Sequence, residues 1–164
     1  MSLNRLTDNF YLEEFLASQT AVRKGIDNSP KTDFVQSNIF YTARKLQKIR
    51  NRLCLAFDRD IGIYISSGYR CLKLNRILGG SKTSSHVKGW AADINAQGMT
   101  AEELFLFIVN IKDDLNFDQL IFEFGRWVHI GFSNTPRGQI LVAKKVKRKY
   151  LPGYRTVYEE FKYV

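Results

Sequence analysis

Val35, Ile39, Ala43, Leu46, Ile49 and Leu53 recur at spacings of four and three, which puts them on one stripe of a single long helix. Ser29-Pro30 supplies an N-cap followed by proline at the first helical position. A helix with one apolar stripe must lay it on another layer, and the remaining segments say what kind. Ile61, Ile63 and Ile65 alternate with Gly62, Tyr64 and Ser66, the period of a half-buried strand. Gln119–Phe124 and Trp127–Phe132 read as two strands of a hairpin around Gly125-Arg126, and Ile140–Ala143 as one more. Phe10–Ser18, with Tyr11, Leu12, Phe15 and Leu16 on one side, and Cys71–Leu78, stopped by Gly79-Gly80, read as short helices. Thr100-Ala-Glu-Glu103 is a capping box opening another. Helices segregated from hairpin-linked strands predict an α+β fold, with a small antiparallel sheet and helices packed around it, not alternating βαβ units.

At 164 residues the chain has the length of one domain with a real core. The motif-bearing part runs from about 10 to 133, and the tail from 138 to 164 is basic and aromatic, with Tyr150, Tyr154, Tyr158, Phe161 and Tyr163. No apolar run approaches the roughly 20 residues of a membrane span. The start, MSLNRLTDNFYLEEF, lacks the basic-then-apolar order of a signal peptide, so synthesis in the cytoplasm is the expectation. Cys54 and Cys71 are too few for a disulfide scaffold and have no nearby histidine, which predicts buried free thiols. The net charge of +9, concentrated in Lys144-Lys-Val-Lys-Arg-Lys149, favours an anionic partner without choosing among nucleic acid, membrane surface and cell-wall polymer. A solvated charged face explains the same run.

Only two histidines occur, His86 and His129, and both stand in strand-like surroundings. In Trp127–Phe132 the alternation turns Val128, Ile130 and Phe132 to one face and Trp127, His129 and Gly131 to the other. The aliphatic face belongs to the core, so His129 points into a groove. His86 and Asp93 are seven apart, which would send them to opposite faces of a straight strand, but Gly89 allows a bend that reunites them. Two imidazoles and one carboxylate suit zinc, at about 2.0–2.2 Å, and leave a fourth tetrahedral position for water. The plain alternative is two unrelated histidines, one in the core and one on the surface.

Ser84-Ser-His86-Val-Lys-Gly89-Trp-Ala-Ala-Asp93 resembles the serine, histidine, glycine, aspartate signature of the M15 zinc peptidases. Trp127-Val-His129 resembles their downstream W-x-H element, and Ser67-Gly68-Tyr69-Arg70 their S-G-Y-R segment. Phe15–Ala21, Leu74-Asn-Arg76 and Asp118–Glu123 are similar to the phage and prophage branch. The resemblance implies the fold shared by hedgehog signalling domains and D-Ala-D-Ala peptidases, and hydrolysis of peptidoglycan stem peptides by a D-Ala-D-Ala carboxypeptidase or an L-Ala-D-Glu type endopeptidase. It implies Zn²⁺ held by His86, Asp93 and His129. It implies an endolysin-like enzyme of phage or prophage origin acting at the bacterial cell wall on peptidoglycan peptide; the basic run at 144–149 adds anionic wall polymers as partners, and a monomer without nucleic acid is the expectation.

In the vancomycin-resistance dipeptidases the general base lies three residues before the last histidine ligand, where this chain has Arg126. The nearest acid is Glu123. A two-residue loop at Gly125-Arg126 would turn Glu123 away from His129, whereas a three-residue loop pairs Ile121 with His129 and puts Glu123 on its face; the similarity at Gln119 and Glu123 favours the second. Arg70 is the candidate for holding a substrate carboxylate or carbonyl or a developing oxyanion. Ser84, Tyr69 and Gln119 are candidate substrate contacts, and Asn95 a candidate orienter of a ligand. Two other classes compete with a peptidase: a non-catalytic zinc-binding wall or partner module, which the missing acid at 126 keeps open, and a basic nucleic-acid binder supported by charge alone.

Overall fold

A computed structural model describes residues 4–149 and 152–162. Met1–Leu3, Tyr150 and Tyr163 lie outside them. Capping decides where the first helices begin. Instead of one helix over Phe10–Ser18 there are two, α1 (Leu12–Leu16) and α2 (Gln19–Arg23), because Ala17 is extended and the Ser18 hydroxyl accepts the Ala21 amide to start afresh. The long helix α3 spans Asp33–Phe57 and is capped by Thr32, not by Ser29. The Ser29 amide is already taken by the Asp27 carboxylate at 2.9 Å, which holds Ser29-Pro30 in a turn.

Strand β1 (Ile63–Ser67) leads to α4 (Leu72–Ile77), which ends before Gly79-Gly80 as anticipated. A 3-10 turn over Ser85–Lys88 precedes β2 (Ala91–Ala96). His86 therefore sits on a helical turn and not in a strand. Helix α5 (Ala101–Asn110) opens on the anticipated capping box: the Thr100 hydroxyl accepts the Glu103 amide and the Glu103 carboxylate accepts the Thr100 amide. A second 3-10 turn covers Lys112–Asp114, and β3 (Gln119–Glu123), β4 (Trp127–Gly131), β5 (Gln139–Lys147) and β6 (Tyr154–Glu160) follow.

The fold is a single-domain α+β structure with one six-stranded sheet, in the order β1-β2-β4-β3-β5-β6. The sheet is mixed, not wholly antiparallel, since β5 runs parallel to β3. After β4 the chain does not turn back as a hairpin but passes round the start of β3 to reach its other side. Asp118 pins that crossing: its buried carboxylate accepts the Arg137 amide at 3.0 Å, Nε at 2.8 Å and Nη2 at 2.5 Å. The two-pronged guanidinium holds the Asp118 carboxyl below the usual carboxylate range.

One sheet face is core. Ile94 of β2, Val128 and Ile130 of β4 and Leu120 of β3 are fully covered, together with Leu46, Ile49 and Leu53 of α3 and Leu104, Phe105 and Ile108 of α5. Burial of each such aliphatic or aromatic side chain is worth roughly 1.5–3 kcal/mol. The alternation that buries Val128 and Ile130 leaves His129 on the opposite face. Both thiols are free but half-buried, not fully buried; Cys54 Sγ accepts the Ile61 amide at 3.3 Å. Among the described residues no helix is long and apolar enough to cross a membrane.

Two left-handed turns shape what lies on the open face. The β3–β4 loop is Phe124-Gly125-Arg126, with Phe124 at φ 55° and Gly125 at φ 70°. This three-residue loop pairs Glu123 with Trp127 and Ile121 with His129, so Glu123 shares the face of His129. The Phe124 ring packs edge-on against Trp127 at 5.9 Å, and Lys145 Nζ lies 5.3 Å from its centroid. Gly89, at φ 75°, ends the turn that carries His86; a Cβ there would stand 2.8 Å from the Val35 carbonyl oxygen and 2.9 Å from Ile39 Cγ1. Gly89→Ala should lower the unfolding free energy by about 2–4 kcal/mol, from the left-handed strain and the clash together. Urea denaturation checks this, and a loss below about 0.5 kcal/mol, the size of an ordinary surface change, contradicts it.

Candidate active site

Asp93 of β2 stands opposite His129 of β4 in the antiparallel register. Cross-strand partners share a face about 5 Å apart, and the two side chains converge: His129 Nδ1 lies 2.8 Å from Asp93 Oδ1. The turn ended by Gly89 brings in His86, whose Nε2 is 3.2 Å from both Asp93 Oδ1 and His129 Nδ1. All three residues are buried. The other nitrogen of His86, Nδ1, lies 2.7 Å from the Gly68 carbonyl oxygen. With Nδ1–H donating there, the Nε2 lone pair faces the cluster.

Arg70 is placed by an irregularity in β1. Between Ile65 and Ser67 the pairing with β2 slips by one residue, so that Ile65 pairs with Ile94 on the core face and Ser67 with Asp93 on the open face. The Ser67 hydroxyl accepts Arg70 Nε at 2.8 Å, and Arg70 Nη2 donates to Asp93 Oδ2 at 2.7 Å. Asp93 thus has one oxygen held by a cation and the other presented to both histidines. Arg70 is an anchor of Asp93 in addition to the substrate contact anticipated for it, and only Nη1 makes no hydrogen bond to a described residue.

Burial alone would raise the Asp93 pKa, but the charges and hydrogen bonds of His86 and His129 overcome it and hold the carboxyl far below its ordinary range. Burial lowers the His86 pKa despite the opposing pull of Asp93. Glu123 goes the other way: burial, then the nearby negative charge of Asp93, raises its pKa. Trp127 Nε1–H donates to Glu123 Oε2 at 3.0 Å, so the carboxylate is aimed; the opposing pulls of His129, this bond and Arg70 do not overcome the burial.

The cluster forms the floor of a cavity of about 800 Å³, whose walls include Ser84, Gln119, Glu123 and Trp127. A second recess, lined by Ser18, Thr20, Arg23 and Ser66 among others, meets it at Arg70, Leu78, Asp93 and Trp127. Of the anticipated contacts, Ser84 and Gln119 reach the wall. Tyr69 does not: it is 7% exposed and packed in the hydrophobic core, with its amide donating to the Phe15 carbonyl at 2.8 Å. Asn95 makes no side-chain hydrogen bond to His86, Asp93 or His129. The Gly68 carbonyl, Ser67 as the clamp on Arg70, and the Trp127–Glu123 bond went unnoticed in the sequence. For the last there was a signal, since a three-residue loop makes Glu123 and Trp127 direct partners.

The three donors fit a divalent cation. One oxygen and two nitrogens lie 2.8–3.2 Å apart, close to the roughly 3.3 Å edge of a tetrahedron with zinc-to-donor bonds of about 2.0–2.1 Å. Two imidazoles and one carboxylate facing a cavity are also the donor set of an open, catalytic site and not of a closed structural one. These are the residues among those described that could jointly hold a metal ion.

The model of the family described as Peptidase M15 matches residues 8–131, which include every residue of the cluster, Arg70 and Glu123. A search of curated proteins finds no match to the chain.

The buried histidine gives the metal-free protein a characteristic response to acid. Unfolded, His86 takes up a proton near pH 6.5; folded, its lowered pKa refuses it. The unfolded state then binds more protons, so stability falls as pH drops below about 6.5. The contribution of Asp93, whose folded pKa is depressed, is complete above about pH 4 and is lost only in stronger acid. In chelator, urea midpoints should decline between pH 7 and pH 5, and His86→Gln should flatten that decline. An unchanged slope in the variant would show that His86 is not the group responsible.

Proposed function

The chain belongs to the peptidase M15 family, and on that premise we propose that it is a zinc peptidase that cuts an internal bond in the stem peptides of bacterial peptidoglycan. The observation that carries this reading is the convergence of His86 Nε2, Asp93 Oδ1 and His129 Nδ1 within 3.2 Å on a cavity floor that Glu123 overlooks. M15 peptidases are metal-dependent, and His86, Asp93 and His129 are the residues that would hold the ion. Zinc, when bound, supplies a Lewis acid for the scissile carbonyl and acidifies a water towards pKa about 7.

The remaining work falls to side chains of this protein. Glu123 is the general base: Oε2 is tied to the Trp127 indole, and Oε1 is the acceptor for the proton of the attacking water. Its raised pKa strengthens it as a base and lets it keep the proton until the leaving amine nitrogen takes it. Arg70 holds Asp93 through Nη2 and offers Nη1 to the oxygen on which negative charge develops. Ser84 and Gln119, on the cavity wall, are the substrate contacts.

Two recesses that meet at Arg70, Asp93 and Trp127 leave room for peptide on both sides of the reacting bond. This favours an endopeptidase of the L-Ala-D-Glu type over a carboxypeptidase, whose substrate ends at the site. An endolysin-like role at the wall in a phage or prophage setting rests on the resemblance of the segments at 15–21, 74–76 and 118–123 alone.

Purified peptidoglycan provides the test. The wild type should release free amino groups without free D-alanine, lose this activity in chelator and regain it with zinc. Glu123→Gln should retain one zinc per chain and lose at least about 100-fold in turnover, the usual contribution of a general base. Undiminished turnover in that variant rules out Glu123 as the base; release of D-alanine would identify a carboxypeptidase; stoichiometric zinc without any turnover would make the protein a binding module.

A further inference from the structure

The family match stops at residue 131, yet the cavity does not. β5 and β6 lie beyond the matched residues, and the sheet order places β5 directly beside β3 and β6 outside β5. The registers are continuous: Trp127 pairs with Glu123, Glu123 with Ala143, and Ala143 with Tyr158. Paired residues share a face, so Trp127, Glu123, Ala143 and Tyr158 form one row across β4, β3, β5 and β6 on the open side of the sheet. One row along, His129, Ile121 and Leu141 are likewise aligned. Ala143 is the smallest member of its row and is covered (1% exposed), while Leu141 and Tyr158 both line the cavity that holds His86, Asp93 and His129. The side of the cavity next to the general base is therefore built by the tail.

Tyr158 has the chemistry of a substrate contact. The residue is 54% exposed and its hydroxyl bonds to no described residue, although it lines a cavity whose other polar groups are largely engaged. It is also near enough to the carboxylates to feel them, since burial and then the charges of Glu123 and Asp93 raise its pKa, keeping it a neutral O–H donor. We propose that Tyr158 is a substrate-binding residue of this peptidase, donating its phenolic hydrogen to a backbone carbonyl of the peptide on the Glu123 side of the cleaved bond, with Leu141 as the apolar floor beneath it. This rests on the peptidase reading for its substrate but not for its geometry.

Tyr158→Phe removes the oxygen and leaves the ring, the strand pairing and the zinc ligands in place. In the zinc-loaded full chain, kcat/KM on peptidoglycan should fall about 3–10-fold, the worth of one neutral hydrogen bond, with zinc content and Tm unchanged. A second measurement does not need turnover: in zinc-loaded Glu123→Gln protein, the Kd for a synthetic stem pentapeptide should rise by the same factor when Tyr158→Phe is added. Hydrolysis by the wild type with no effect of Tyr158→Phe on either quantity overturns the inference and leaves the peptidase reading standing. Pentapeptide binding that depends on Tyr158, in a wild type that hydrolyses nothing, overturns the peptidase reading and supports the inference. Absence of both binding and hydrolysis overturns both.

Discussion

A single buried carboxylate organises the molecule. Asp93 receives a guanidinium on one oxygen and two imidazoles on the other, and each partner arrives from a different element: Arg70 from the loop after β1, His86 from a 3-10 turn, His129 from β4. An ionised carboxylate this deep costs several kcal/mol unless it is paired and hydrogen-bonded. Its partners supply that compensation, and in doing so they fix the spacing of the donors. Removing any one of them leaves the others as uncompensated charge or unsatisfied polar atoms. The arrangement is thus a stability problem whose solution is also a set of donors that could hold a metal ion.

Placement follows from small local departures from regularity. The one-residue slip in β1 turns Ser67 towards Asp93 and starts the loop that delivers Arg70. The left-handed Gly89 folds His86 back over β2. The Phe124-Gly125 pair fixes which face Glu123 occupies. Each is a single-residue event of the kind that clusters beside reactive sites, where it re-aims a side chain without disturbing the core behind it.

Features carried by local chemistry could be read from the amino-acid order. The Thr100–Glu103 capping box, the two faces of Trp127–Phe132, the bend at Gly89 and the three-residue hairpin loop all depend on residues close together in the chain. What escaped was settled by competition or by distant pairing. Asp27 took the Ser29 amide and moved the start of the long helix to Thr32. Ser18 capped a second short helix where one was expected. The parallel course of β5 depends on Asp118 meeting Arg137 across the connection after β4, and nothing local announces it. Tyr69, though it adjoins Arg70, turned into the core because its backbone is tied to Phe15. Neighbours on an irregular loop need not share a fate.

The crossover that carries β5 to the far side of β3 also settles a question of colloidal behaviour. Without it, β3 would end the sheet, offering a full row of unpaired amides and carbonyls next to Leu120 and Phe122, a template for another chain to dock on. With it, the outermost strand becomes β6, whose Arg155, Glu159 and Glu160 are exposed charges. A protein cut back to the matched residues would therefore be expected to self-associate through that bared border, and the last stretch of the chain acts as a selvedge that keeps the fabric from joining to itself.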